Sequence, residues 1–242
     1  MPPRFYCPQP LSVGMAIALP PGVAHHIRVV RLAVGESITL FNGEGGEFAA
    51  TLTDIGKKHA SAEIKAFSPR EAELRHAVTL AQALPEASKM DWIIEKAVEL
   101  GATAIQPLAS QRCVMRLANE RAAKKHIYWK NVIVSATEQC GRNRLPHLAE
   151  LTDFSHWIAQ SDLHPRILLS PRAEQSLSDW ARHHPPQPVA LLIGPEGGFT
   201  GQEENDARTQ GALALSMGPR ILRAETAGLA ALAALNALWG EM

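Results

Sequence analysis

QPVALLIGPEGGFTGQEEND, residues 187–206, decides how this chain is read. The run Val189–Ile193 is short, apolar and bounded by proline and glycine, the pattern of a strand buried on both faces. It stops at Gly194-Pro195-Glu196-Gly197-Gly198. Thr200, followed three residues later by Glu203, is a capping-box pattern that opens a helix. Glycine at a strand end permits positive φ and lets another group approach the backbone closely. The turn therefore reads either as a ligand-facing loop or as a structural corner. It contains no GKS or GKT and no GxGxxG, so it is neither a Walker loop nor a dinucleotide fingerprint.

The same unit recurs on both sides. HAVTLAQALP (76–85), TAIQPLAS (103–110), PRILLSP (165–171) and ALALSMG (212–218) are further short apolar runs. Helical patterns lie between them. Ser88 with Asp91 predicts a capping box, Met90, Ile93, Ile94, Ala97 and Val98 follow helical spacing, and Gly101 ends that helix. A long helix is expected over Leu117–Gln139, and a last one over ETAGLAALAALNALW, 225–239. Strands alternating with helices predict a parallel α/β sheet. Ligands of such sheets bind at the carboxyl ends of the strands, where Gly194–Gly198 lies. Met217-Gly218-Pro219 and Ser170-Pro171 are two more strand-end turns. Together the three suit a purine-bearing cofactor held without a phosphate clamp; they equally suit three ordinary βα turns.

Residues 1–70 look different. IRVVRLAVGESITLF (27–41), EFAATLTDI (47–55) and HASAEIKAF (59–67) are β-branched and partly alternating, with a glycine-rich hairpin turn at 42–46. A small all-β barrel is expected there, joined by the polar connector 67–76 to an α/β domain over 76–242.

Composition narrows the classes. No stretch of 18 apolar residues predicts a membrane span. The amino-terminal MPPRFYCPQP lacks a signal-peptide core. Cys7, Cys113 and Cys140 are odd in number and far apart, which points to a reducing cytoplasm and away from a disulfide framework or metal site. The net charge is zero, but residues 112–147 carry eight Lys and Arg against Glu120 and Glu138. That block reads as a phosphate-tracking face or as a solvated helix face. The last helix is apolar almost all round, so it is buried in a core or in a subunit interface.

GPEGGF (194–199), GPRILRAETA (218–227), DWIIEKAVELGATAIQPL (91–108), EQCGRNRLP (138–146) and HHIRVVRLAVGE (25–36) resemble, in order and over nearly the whole chain, the ribosomal RNA small-subunit uridine-N3 methyltransferases of the SPOUT superfamily. The resemblance implies a SPOUT-type parallel sheet with a carboxy-terminal trefoil knot, preceded by a PUA-like barrel. It implies S-adenosylmethionine bound at the knot, no metal, and a homodimer. The implied substrate is a specific uridine, 1498 in rRNA numbering, of 16S rRNA within the assembled small subunit. The cofactor-binding residues would be Leu169, Ile193, Gly194, Pro195, Glu196, Gly197, Gly198, Met217, Gly218, Ile221, Leu222 and Thr226. Cys113, where serine is expected, and Ala224, where threonine is common, depart from the family pattern.

Methylating N3 of uracil requires removing its proton and stabilising charge over O2 and O4. Arg223 and Glu225 are the candidates for these tasks; the competing reading is an ion pair that caps the last helix. Arg4, His26, Arg28 and Arg31 in the first region, and Arg112, Arg116, Arg142 and Arg144 in the second, are candidates for RNA phosphate contacts. A SPOUT enzyme for another rRNA or tRNA nucleotide, and a non-catalytic RNA-binding assembly protein, remain alternatives.

Overall fold

The computed structural model describes residues 2–86, 88–117, 119–160 and 164–240. The chain divides into two compact units. One comprises residues up to Glu73 together with Thr137–Leu145, and the other Leu74–Ala136 together with the chain from Pro146 onward.

The first unit holds β1 (Arg4–Tyr6), β2 (Ala16–Ala18), α1 (Pro21–Val29), β3 (Ser37–Phe41), β4 (Glu47–Ile55) and β5 (Ala60–Ser68). They form a mixed five-stranded sheet in the order β1-β3-β4-β5-β2. The β3–β4 hairpin turns at Asn42–Gly46, where Gly43, Gly45 and Gly46 all take positive φ. Ile38, Leu40, Phe48, Ala50, Leu52, Ala62 and Ile64 alternate inward from these strands onto Phe5, Ile17 and Ile27.

The run expected as a strand over 27–41 is helical at its start and becomes a strand, β3, only at Ser37–Phe41. Pro21 supplies the first residue of that helix, α1, with φ already fixed, and Val23, Ala24 and Ile27 form one buried face. The β-branched run that suggested a strand puts Val29 and Val30 in solvent, 63% and 45% exposed. Arg31 closes the helix at φ 60.

An ion network stitches the segment Thr137–Leu145 into this unit. Arg4 meets Glu47 at 2.5 Å and Asn143 Oδ1 at 2.6 Å. Arg70 donates to the same Glu47 and to the Gly141 carbonyl. Arg142, 3% exposed, holds Glu73 through Nε and Nη2. The Arg70 hydrogen bond first, then Arg4, overcome partial burial and hold the Glu47 carboxyl down at about 2. Burial pushes the Glu138 carboxyl up, although it accepts the Tyr6 N–H at 2.8 Å. Arg4 and Arg142 were expected on an RNA-facing surface. Both are instead buried partners of carboxylates, because the acidic residues that neutralise them lie more than 40 positions away in sequence.

The second unit runs β6 (Val78–Ala83), α2 (Lys89–Glu99), β7 (Ala104–Ala109), α3 (Asn119–Cys140, its last turn in the first unit), β8 (His147–Leu148), β9 (Thr152–Asp153), α4 (Phe154–Ile158), β10 (Arg166–Leu169), α5 (Leu177–Arg182), β11 (Val189–Ile193), α6 (Gly201–Thr209), β12 (Leu213–Leu215) and α7 (Ala224–Leu238). All pairings are parallel, in the order β12-β10-β11-β6-β7-β8, with β9 also on β7. Central β11 is buried at every residue, as its unbroken apolar run requires. The capping box expected at Ser88 is absent: Ser88 adopts helical angles with no side-chain cap, and Asp91 accepts the Trp129 indole N–H at 2.9 Å. The capping box of Thr200 and Glu203 is fully formed.

Candidate functional site

Parallel strands end on one edge of their sheet, so the turns after β10, β11 and β12 are brought together. They enclose a cavity of about 430 Å³. Leu169 and Ser170 contribute from the first turn, Ile193–Gly194 and Glu196–Phe199 from the second, and Met217 with Arg220–Leu222 from the third. Ala224 and Ala227, on the first turns of α7, close one side. α7 reaches that position because Gly228 lets it settle on the sheet. A Cβ there would stand 3.0 Å from Leu80 Cδ1 and 3.3 Å from Ile193.

The glycine turn is held from three directions. Arg112 Nη1 donates to the Gly197 carbonyl at 2.8 Å. Glu196 Oε1 accepts from Lys89 Nζ at 2.8 Å and from the Glu86 N–H at 3.0 Å. Burial pushes the Glu196 carboxyl up, but these donors outweigh it and leave the carboxyl below its ordinary value. Glu203 bonds the Thr200 N–H through Oε2 and the Gln111 N–H through Oε1, both at 2.8 Å, and so ties the loop after β7 to the start of α6. Gly194 is required by space: a Cβ would stand 3.0 Å from the Phe199 nitrogen.

The loop that closes the cavity is different. Residues 217–222 make no backbone–backbone hydrogen bond among the described residues. Ile221 is 84% exposed. Free strand-end amides and carbonyls beside apolar walls suit a flat, polar-edged ligand.

Nine of the expected cofactor residues line this cavity: Leu169, Ile193, Gly194, Glu196, Gly197, Gly198, Met217, Ile221 and Leu222. Pro195, Gly218 and Thr226 do not line it. Pro195 is buried and its carbonyl accepts the Gly198 N–H. Phe199, Arg172 and Glu204 line the cavity without having been singled out; Arg172 and Glu204 pair at 2.7 Å across 32 positions of sequence. No local pattern signals such a pair.

Arg223 and Glu225 flank the cavity-lining Ala224. Arg223 is the exposed cap residue of α7. Glu225 is half-buried, with a buried Oε2 that has no partner among the described residues. Lys89 is raised above its ordinary value, first by its bond to Glu196 and with a smaller electrostatic contribution from Glu225. No ion pair joins Arg223 to Glu225 among the described residues, so the helix-capping pair considered for them does not form.

Of the remaining basic candidates, Arg112 and Arg116 are exposed. Arg116 donates to the Gln111 carbonyl at 3.0 Å. In the first unit Arg28 and Arg31 are exposed, and His26 lies 3.8 Å from Glu138. Arg144 is exposed, with Glu71 at 3.8 Å. Among the described residues no group of three or more His, Cys, Asp or Glu could hold a metal ion, and no helix is long and apolar enough to cross a membrane.

A family model for an RNA methyltransferase domain matches residues 72–236, and one for an RNA methyltransferase PUA domain matches residues 19–65. The ribosomal RNA small subunit methyltransferase E of Buchnera aphidicola is 30% identical over 242 residues, covering 99% of this chain and 98% of that one. The protein of the same name from Bacillus subtilis is 32% identical, covering 88% and 86%. Its counterpart from Neisseria gonorrhoeae, solved bound to S-adenosyl methionine, superposes with a TM-score of 0.94 at 40% identity, covering 99% and 98%. The chain belongs to the ribosomal RNA small subunit methyltransferase E family.

Proposed function

We propose that this chain transfers a methyl group from S-adenosylmethionine to N3 of a uridine, 1498 in rRNA numbering, in 16S rRNA of the small ribosomal subunit. The observation that carries the reading is the cavity at the ends of β10, β11 and β12. Its volume of about 430 Å³ suits a nucleoside-sized ligand. Its walls are apolar at Leu169, Ile193, Met217 and Leu222, and residues 217–222 offer backbone groups unused by the fold. Those features fit an adenine ring recognised by backbone. Glu196 is taken up by Lys89 and the Glu86 amide, so it serves the turn and leaves cofactor recognition to its neighbours.

The cofactor supplies a methyl group on a sulfonium that leaves as a neutral thioether. The residues of the chain therefore work on the acceptor. N3 must lose its proton, and the electron pair left on nitrogen then forms the new bond to carbon. We assign that proton to Glu225, half-buried at the start of α7 and with one oxygen that has no partner among the described residues. Arg223, the exposed residue two positions before it and without an ion-pair partner among the described residues, is our candidate for stabilising the charge that develops on a uracil oxygen. N3 lies on the base-pairing edge, so the uridine must be unpaired or turned out of its helix first.

By the family reading, the enzyme works in the cytoplasm as a homodimer, with its chain ending in a trefoil knot. The mixed face of α7 supports a second copy. Ala230, Ala233 and Ala234 are half-buried and Ala237 is exposed, on a helix with almost no polar residues.

Small subunits lacking the modification, incubated with protein and cofactor, provide the test. N3-methyluridine cannot pair, so reverse transcriptase should halt at a single new cofactor-dependent position of the 16S RNA. No stop, with cofactor binding measured independently, refutes the assignment and favours a transfer RNA target.

A further inference from the structure

A second hollow, of about 300 Å³, opens on the same edge of the sheet. The loop after β7 (Ser110, Gln111), Arg116, the β9–α4 junction (Asp153 to Ser155) and the inner face of α6 (Glu203, Asp206) surround it. It adjoins the first cavity. Phe154 lines this hollow and Phe199 lines the other, and their rings lie 4.7 Å apart. Glu203, bonded to the amides of both Gln111 and Thr200, lines this hollow.

The chemistry of the hollow is unlike that of the first cavity. Glu203 spends one bond of each oxygen on a backbone amide, so its carboxylate is held by the fold. Asp206 accepts from Gln202 through Oδ1 at 2.7 Å, leaving Oδ2 without a partner among the described residues. The Asp153 carboxylate makes no hydrogen bond among the described residues, although it stands at the cap position of α4. Arg116 spends one N–H on the Gln111 carbonyl and makes no ion pair among the described residues. The hollow therefore suits a ligand that presents a hydroxyl or amine donor to the carboxylates and an anion to the guanidinium.

We propose that this hollow is a subsite for one ribonucleotide adjacent to the methylated uridine, with Arg116 on its phosphate and the Asp153 and Asp206 carboxylates facing its 2′-hydroxyl. The proposal rests on the reading of the chain as an RNA methyltransferase. Within an RNA chain the 3′-oxygen is esterified, so the ribose offers one donor, the 2′-hydroxyl, which an ionised carboxylate accepts and which separates RNA from DNA. A uracil base fits poorly, because O2 and O4 flank its one N–H and carboxylates repel them. A bare metal ion fits poorly as well, since no three ligating side chains converge there among the described residues. The subsite thus checks the sugar beside the target uridine.

The test uses short RNA fragments spanning the target uridine as competitors of methyl transfer to small subunits. Parallel fragments carry a single 2′-deoxy substitution on either side of the uridine. Wild-type protein should prefer the all-ribose fragment by about tenfold over one of the two deoxy fragments, the size of one lost hydrogen bond to a charged acceptor. Asp206→Ala and Asp153→Ala, at surface positions outside the first cavity, should abolish that preference. They should raise KM for small subunits about fivefold with kcat unchanged. Retained preference and unchanged KM in both variants overturn the subsite while leaving the methyltransferase reading intact. A wild-type protein that binds cofactor yet methylates no RNA overturns both.

Discussion

Replacing Glu203 with alanine removes a side chain that bridges the loop after β7 and the start of α6. The carboxylate is 5% exposed and bonds two backbone amides, Thr200 and Gln111, each at 2.8 Å. A hydrogen bond to a charged group contributes roughly 1.5–3 kcal/mol, and loss of a helix cap costs about 1 kcal/mol. Both amides lie in part-buried surroundings, so water replaces some of what is lost. The expected destabilisation is about 2–3 kcal/mol, carried mainly by the orphaned amides. Glu203→Gln keeps one carbonyl acceptor but turns an NH2 toward the other amide, so it should lose about half as much. Urea unfolding of the three proteins reads these values directly, and a shared slope would show that only stability has changed. Hydrogen exchange gives an independent reading: the Thr200 and Gln111 amides should both exchange faster in the alanine variant. A loss under about 0.5 kcal/mol, or protection unchanged at those two amides, would refute the reasoning.

Arg223→Ala should lower kcat by about a hundredfold or more, with cofactor affinity by calorimetry unchanged, because a charge-stabilising donor acts on the acceptor alone. Gly194→Ala would place a Cβ 3.0 Å from the Phe199 nitrogen; the backbone must shift, so cofactor affinity should fall by about tenfold or more while the far-ultraviolet spectrum persists. Arg142→Ala leaves the part-buried Glu73 without this partner, and should destabilise the first unit by about 2–3 kcal/mol in thermal or urea unfolding. The acid limb of stability should carry the signature of Glu47. Its carboxyl is lowered from 4.5 to about 2 in the folded chain, so its contribution is complete above the unfolded value and is lost as pH falls toward 2. Glu47→Gln should flatten that limb, and an unchanged acid limb would contradict the ion network.

What could be read without the structure follows a physical division between local and distant determinants. Val189–Ile193, the glycine turn and the Thr200–Glu203 box are legible because each depends on neighbours within a few residues. The strand ends at Leu169, Gly194 and Met217 are likewise local, and parallel pairing alone brings them to one edge. The misread elements are those in which a distant partner outbids the local pattern. Asp91 looks like a cap, but it accepts from Trp129, 38 positions on. Arg142 looks like a surface cation, but Glu73 has claimed it from 69 positions away. The run from Ile27 is β-branched, yet Pro21 and the burial of Val23, Ala24 and Ile27 make its start helical. The same rule explains why the second hollow was invisible. Arg116, Asp153 and Asp206 come from three separate elements, and none is unusual in its own sequence context. What marks them is that the fold brings them to one hollow with bonding capacity unspent. In this chain, the charged residues whose partners are already accounted for hold structure, and those left open on the strand-end edge are where RNA chemistry should be sought.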